Sequence, residues 1–298
     1  MTHFPPNLRL NGDQLDAWHR DLTLKAGSHD TPEGGMCVME AVAWITGDYF
    51  NATPSCVHSI IRSFAMSWND ALIDNDRDRL LKPLMWDMIG TNNQEPEVTD
   101  ALAWMTTDWL VRVHAPAWLR LAGLTEHAES LAFSPALTAE SVTEIMPILE
   151  AASSAAIAER DNVWSGIRDI FHGAAWFAAG VAVREAGGPA ARSAVAIATK
   201  GAAQDSTEGV IQEAAKSAAE NVAWNAARTA ASIFARDTTS AAQATWETTS
   251  KPTRDRLQPT VTELQDSAVD LLTRMCTHAK ANSSIVSEPH GVTSKRSD

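Results

Sequence analysis

The feature that most constrains this chain is the stretch Ala151–Trp246, in which roughly a third of the residues are alanine. Alanine is the best helix former because it loses no side-chain entropy on entering a helix, and its single methyl offers a strand little to pack. The stretch is also punctuated as helices are. Ser141 with Glu144, and Asp205 with Glu208, read as capping boxes, and Gly187-Gly188-Pro189 reads as a stop followed by a start. The spacing predicts helices over 141–159, 162–186, 189–204 and 206–248. Pro252 is expected to end this run. Pro259 is expected to open a last amphipathic helix, 259–279, with Val261, Leu264, Leu271, Leu272 and Met275 on its apolar side. Residues 282–298 lack periodicity and read as a disordered tail.

The first half is helical by pattern rather than by composition. A short helix is expected over Asp13–Lys25. Met36–Thr46 is closed by Gly47, which supplies the left-handed conformation past a helix end. That helix is apolar nearly all round, so it belongs at the centre of a packed region. Its one charge, Glu40, is therefore predicted to be buried and held, with Arg62, Arg79, His58 or Asn69 as candidate partners. Further helices are expected over Cys56–Ala71, over Asp74–Ile89 with a kink or break at Pro83, over Glu97–His114 and over Pro116–Leu121.

No segment alternates with period two between hairpin turns, so the fold class is all-α. The expected organisation is an N-terminal arm with a short helix (1–30), a compact multi-helix domain (31–134), an Ala-rich long-helix region (135–250), an amphipathic helix (251–281) and the tail (282–298). Glu40–Phe50 and Asp100–Leu110 echo one another, which points to a HEAT-like arrangement of the first domain.

A net charge of -13 over 298 residues leaves no global field for phosphate, which argues against direct nucleic-acid binding. The 45% hydrophobic content is enough for a real core. Three cysteines exclude a disulfide scaffold and suit a reducing cytoplasm. The start MTHFPPNLRL has no secretory pattern, and the longest uncharged apolar stretch, Gly173–Val183, is too short to span a membrane.

The string GGMCVMEAVAWITGDYF, continuing through DWLVRVHAPAWLRLAGL, resembles a family of helical, Ala-rich proteins from actinobacteria and their phages. The specific likeness covers Gly34–Phe133, and the Ala-rich half matches in composition. The resemblance implies a helical fold and such an origin, and it carries over no catalytic residue.

Several residues could carry chemistry. Cys37, Cys56 and His58, with Glu40 as a fourth donor, are of the types zinc prefers, although no C-x2-C or H-x3-H pair is present. The plainer reading is two cysteines packed as small hydrophobes. Cys37 also follows Gly34-Gly35 at a helix start, where the dipole would lower a thiol pKa. Asp74-Asn75-Asp76-Arg77-Asp78 reads as helix capping rather than a calcium loop, since Arg79 stands where Gly is needed. Asn69 and Asp70, beside Trp68 at a helix end, either line a pocket or bond to nearby backbone. Eleven Trp stand against one Tyr, and their spacing does not separate core from partner surface.

Together these features point to a non-enzymatic interaction or scaffold protein with no cofactor. An acidic surface suits a basic protein partner, and small Ala faces also allow self-association. Two alternatives stand beside it. One is a metal- or thiol-dependent enzyme using Cys37, Glu40, Cys56 and His58, and the other is an acidic decoy of a nucleic-acid-binding host protein.

Overall fold

The computed structural model describes residues 8–165, 169–199, 207–238 and 245–283. They form the helices α1 (Gly12–Asp21), α2 (Val38–Thr46), α3 (Ser59–Ala71), α4 (Asp74–Met88), α5 (Pro96–Trp109), α6 (Ala115–Leu121) and α7 (Thr125–Ala132). The Ala-rich half continues with α8 (Val142–Ser165), α9 (Asp169–Glu185), α10 (Gly188–Thr199), α11 (Thr207–Thr238) and α12 (Trp246–Ser283). Among the described residues the extended pairing amounts to one parallel bridge, Leu24 to Met36, so the fold is all-α. The tail from 284 onward, the Asp205 end of one expected capping box, and residues 1–7 of the arm lie outside the described residues.

Proline position explains where the helices depart from the sequence expectation. Pro83 lies inside α4 without breaking it, and Pro252 and Pro259 both lie inside α12, which starts at Trp246. Pro252 was expected to end a helix and Pro259 to begin one, and neither does. Pro83, Pro147 and Pro259 all sit on the exposed side of their helices. The carbonyl that loses its donor there can turn to water, and the opposite face stays packed. A helix-interior proline costs about 3 kcal/mol. In α12 the burial of Leu257, Val261, Leu264, Leu271, Leu272 and Met275 offsets it, each side chain bringing roughly 1.5–3 kcal/mol. Pro116 does not start a separate helix either. α5 runs into α6 through a π-helical turn, Leu110–His114, just ahead of the residue that lacks an N–H.

Other boundaries shift by a few residues. α8 runs through the expected break near 160 as far as Ser165, and Ser141 turns its hydroxyl back to Ala136 O (2.7 Å) rather than forming a capping box with Glu144. The echo Glu40–Phe50 and Asp100–Leu110 ends differently in its two copies. Gly47 stops α2 in the left-handed region (φ 76°), whereas α5 carries on past Trp109.

One apolar core runs from Leu15 to Ala279 and takes in both halves of the chain. α2 sits deep within it, every residue from Val38 to Ala43 being buried. α10 packs on α3 and α5, and α12 lies along α9 and α11 before reaching α5 and α4. Trp68 ties the halves together by donating from Nε1 to Glu185 O (2.9 Å). In the second half α11 packs on α8, α9 and α12 through alanines: Ala219, Ala223, Ala226, Ala227 and Ala230 on α11, and Ala175, Ala178, Ala179 and Ala182 on α9, are buried. Small side chains at these contacts let the helix axes approach closely.

Candidate interaction surface

The polar residues picked out in the sequence divide into two separate sets. Cys37, Glu40, Asn69 and Asp70 are drawn together around the segment 24–37. Glu40 is buried, as expected, but its partners are others than those named above. Its Oε1 accepts from His29 N (2.8 Å), and its Oε2 accepts from Cys37 N (2.8 Å) and faces His29 Nδ1 (2.8 Å). Arg62, Arg79, His58 and Asn69 are not its partners. Burial raises the Glu40 pKa, but the Cys37 and His29 N–H groups outweigh it and hold the carboxyl below its usual range. The Cys37 thiol caps α2 by accepting from Glu40 N (3.5 Å), so a capping box forms with Cys in the usual Ser or Thr place. Burial pushes this thiol up to about 12, outweighing the effect of the helix dipole, as a cysteine packed in the fold would show.

Asn69 and Asp70 act on backbone, the second of the two readings offered for them. Asn69 Oδ1 accepts from Val38 N (3.2 Å), and its Nδ2 donates to Lys25 O (2.8 Å). Asp70 accepts from Gly27 N (2.8 Å). Arg77, buried in α4, adds donors to Asn69 O (2.7 Å) and Leu72 O. Glu40, Asn69 and Asp70 satisfy backbone groups of an irregular segment whose own pairing is limited to the Leu24–Met36 bridge and short turns.

Cys56 and His58 belong elsewhere. His58 caps α3: its Nδ1 accepts from Ile60 N (3.1 Å), its backbone N–H donates to Thr91 Oγ1 (3.1 Å), and Nε2 lies 3.3 Å from Thr99 Oγ1. Burial, then the charge of Arg62, pulls its pKa down to about 4. Burial raises the Cys56 thiol. Cys37 and His58 each cap the start of a different helix, so Cys37, Cys56 and His58 do not converge as a zinc set. Among the described residues no three His, Cys, Asp or Glu side chains could hold a metal ion.

The tryptophans also divide. Trp68, Trp86, Trp109 and Trp118 are core, and Trp18 and Trp44 are half-buried and stacked (centroids 5.0 Å). Half-buried Trp104 donates to Glu208 Oε1 (3.0 Å). The exposed ones lie in the Ala-rich half. Trp176 on α9 is 47% exposed, Phe177 beside it 43%, and Trp246 at the start of α12 46%. Such exposure of three neighbouring large rings sets this face apart from a core-facing aromatic cluster.

The rings form two groups on adjacent stripes of α9. Phe177 meets Trp246 (5.3 Å), and on the next stripe Trp176 meets Trp164 of α8 (6.0 Å) and His172 (6.3 Å). Trp164 is anchored by Nε1 donating to Ser232 Oγ (3.0 Å) on α11. Arg228 of α11 lies over Trp176 (3.6 Å) and beside Trp224 (5.3 Å), and Arg160 lies over Trp164 (5.2 Å). Rigid indoles with arginine between them are the side-chain types that dominate binding energy at protein interfaces.

None of these surface residues was singled out in the sequence, although a signal was there. On α9 the alanines 174, 175, 178, 179 and 182 make the buried arc, which turns 172, 173, 176 and 177 outward. Trp176 and Phe177 thus stand outside while most of the buried arc is alanine, closed at its two ends by Phe171 and Val183, which departs from an ordinary amphipathic helix. Hydrophobicity alone does not distinguish Ala from Trp, but size does.

No family model, no curated protein and no solved structure matches this chain. No helix among the described residues is long and apolar enough to cross a membrane.

Proposed function

We propose that this chain is a helical protein-binding or scaffold module that docks a partner protein on the outer face of α9. The observation that carries the reading is the group of three exposed aromatic rings, Trp176, Phe177 and Trp246, on a bundle whose interior is closed by alanine. Exposing them costs hydrophobic stabilisation that burial against a partner would recover, at about 25 cal/mol per Å2 of apolar surface. The buried arc of α9 is already filled, mostly by alanine, and although the inner edges of these rings touch α8, α11 and α12, their outer faces are left uncovered. An actinobacterial or phage source, as the resemblance of Gly34–Phe133 implies, belongs to the same proposal.

The test compares the wild type with a Trp176→Ala/Phe177→Ala/Trp246→Ala variant as baits in lysate of the source cell. The expected result is a protein retained by the wild type and lost by the variant, with helicity and Tm little changed. Equal retention by both baits would refute docking on this face.

A further inference from the structure

The chemistry of the partner can be drawn from Arg228, an inference that rests on the docking role proposed above. Neighbouring arginines have acceptors: Arg160 pairs with Asp161, Arg254 with Glu185 and Arg256 with Asp237, and Arg184 donates to Gly180 O (3.2 Å). Arg228 pairs with none among the described residues, and its Nε is buried without a hydrogen-bond partner. A half-buried cation without a counter-charge is unfavourable in a folded protein. Arg160 makes the position more so, since it bonds Asn225 Oδ1 (2.7 Å) one turn before Arg228 and adds a second positive charge. Burial, then Arg160, accordingly weakens the hold of Arg228 on its proton relative to an ordinary arginine.

Trp176 covers the guanidinium at 3.6 Å with Trp224 beside it at 5.3 Å, and the terminal N–H groups of Arg228, unlike the buried Nε, are left to an outside acceptor. The planar fork matches a carboxylate, which can take two parallel hydrogen bonds. Trp176 lies over the guanidinium and in turn meets Trp164, an apolar setting in which such a pair is stronger than in water.

We infer that the α9 face receives a peptide segment that places one carboxylate, flanked by apolar side chains, on the Arg228 guanidinium between Trp176 and Trp224. This reverses the sign of the partner expected from overall charge. The net charge of -13 describes the far field, whereas the contact itself is cationic. The same far field disfavours a polyanion. A single carboxylate within an apolar segment therefore fits better than an acidic tract, and better than a nucleic acid whose bases would stack on the same rings.

The experiment uses the full chain and end-blocked peptides of Leu and Phe around a central Glu, Gln or Lys. Binding is read from the Trp indole N–H signals in NMR titrations of the wild type and of Arg228→Gln, with oligothymidylate as a separate arm. Trp176→Phe identifies the Trp176 signal. The expected result is that the Trp176 signal moves, and that the Glu peptide binds about tenfold tighter than the Gln peptide, with Lys weakest. Arg228→Gln should level the three peptides without changing the Tm. Equal affinities in the wild type, a Glu preference that survives Arg228→Gln, or tighter binding of oligothymidylate would overturn the inference. Peptides that bind without charge preference leave the docking face standing and remove only the carboxylate. If none of them binds, both fall.

Discussion

Replacing Gly188 by alanine sets two opposing effects against each other, and the structure decides the sign. Gly188 opens α10 with an ordinary negative φ, so on helix propensity alone Ala should stabilise by up to about 1 kcal/mol. A Cβ at that position, however, would stand 2.8 Å from His114 Cε1 and 2.9 Å from its Nε2. The imidazole cannot step aside. It is buried between Trp109 (5.1 Å) and Trp118 (6.3 Å), and its Nε2 accepts from Trp118 Nε1 (3.3 Å). Overpacking of this kind costs about 1–3 kcal/mol. Set against the gain in propensity, Gly188→Ala should be destabilising by about 1–2 kcal/mol. In a chain of this size that corresponds to a fall in Tm of roughly 2–3 °C. Urea unfolding of the wild type, Gly188→Ala, His114→Ala and the double variant completes a cycle. His114→Ala alone should cost about 2–4 kcal/mol through its cavity and the orphaned Trp118 donor. The double variant should be no less stable than His114→Ala, since the clash is gone. A Gly188→Ala protein at least as stable as the wild type, or two additive single effects, would refute a rigid contact between α10 and the π-helical turn.

Further perturbations address the polar residues. Glu40→Gln keeps the shape but turns an amide toward donors, and should cost about 2–4 kcal/mol in urea unfolding. The folded pKa of Glu40 is lowered, so its contribution should be present above the unfolded carboxyl value near 4.5 and fade as the pH falls through the folded value. The wild-type advantage over Glu40→Gln should therefore narrow at acid pH. His58 titrates the other way, being held neutral in the fold with its pKa down at about 4. Between pH 6.5 and 4 the unfolded chain binds the extra proton, so stability should drop by up to about 1.4 kcal/mol per pH unit on acidification, a slope that His58→Asn should reduce. Cys37 and Cys276, both with thiols raised to about 12, should react with a disulfide reagent at pH 8 only as the chain unfolds. Prompt reaction of Cys37 in the native protein would show an open active-site thiol.

Most helices were legible because their existence depends on local spacing and caps, as α2 shows from its apolar surround to Gly47, whereas the short α7 was not expected. Proline effects were less so. Whether Pro83 or Pro259 breaks a helix depends on which side faces water, a tertiary property that a sequence window does not contain. The burial of Glu40 followed from its apolar neighbours, but His29 did not, since it reaches Glu40 from an irregular segment with no periodicity to place it. At Cys37 the helix start offered a reason for a lowered thiol pKa beside the plainer reading of a packed cysteine, and burial there dominates. The α9 surface was hidden by scoring Ala and Trp alike as apolar, and by looking for exposed Trp among the N-terminal tryptophans, several of which are core.

The docking face itself can be tested by placing a photo-crosslinking benzoyl-phenylalanine at single exposed positions in the source cell. Phe177 is compared with Tyr49 and Phe133, which are each 81% exposed but lie outside the aromatic surface of α9. The account predicts one discrete covalent adduct from position 177 that is lost when Trp176 is also replaced by Ala, and none of that size from positions 49 or 133. The same adduct from all three positions, or an adduct from 49 or 133 alone, would contradict it.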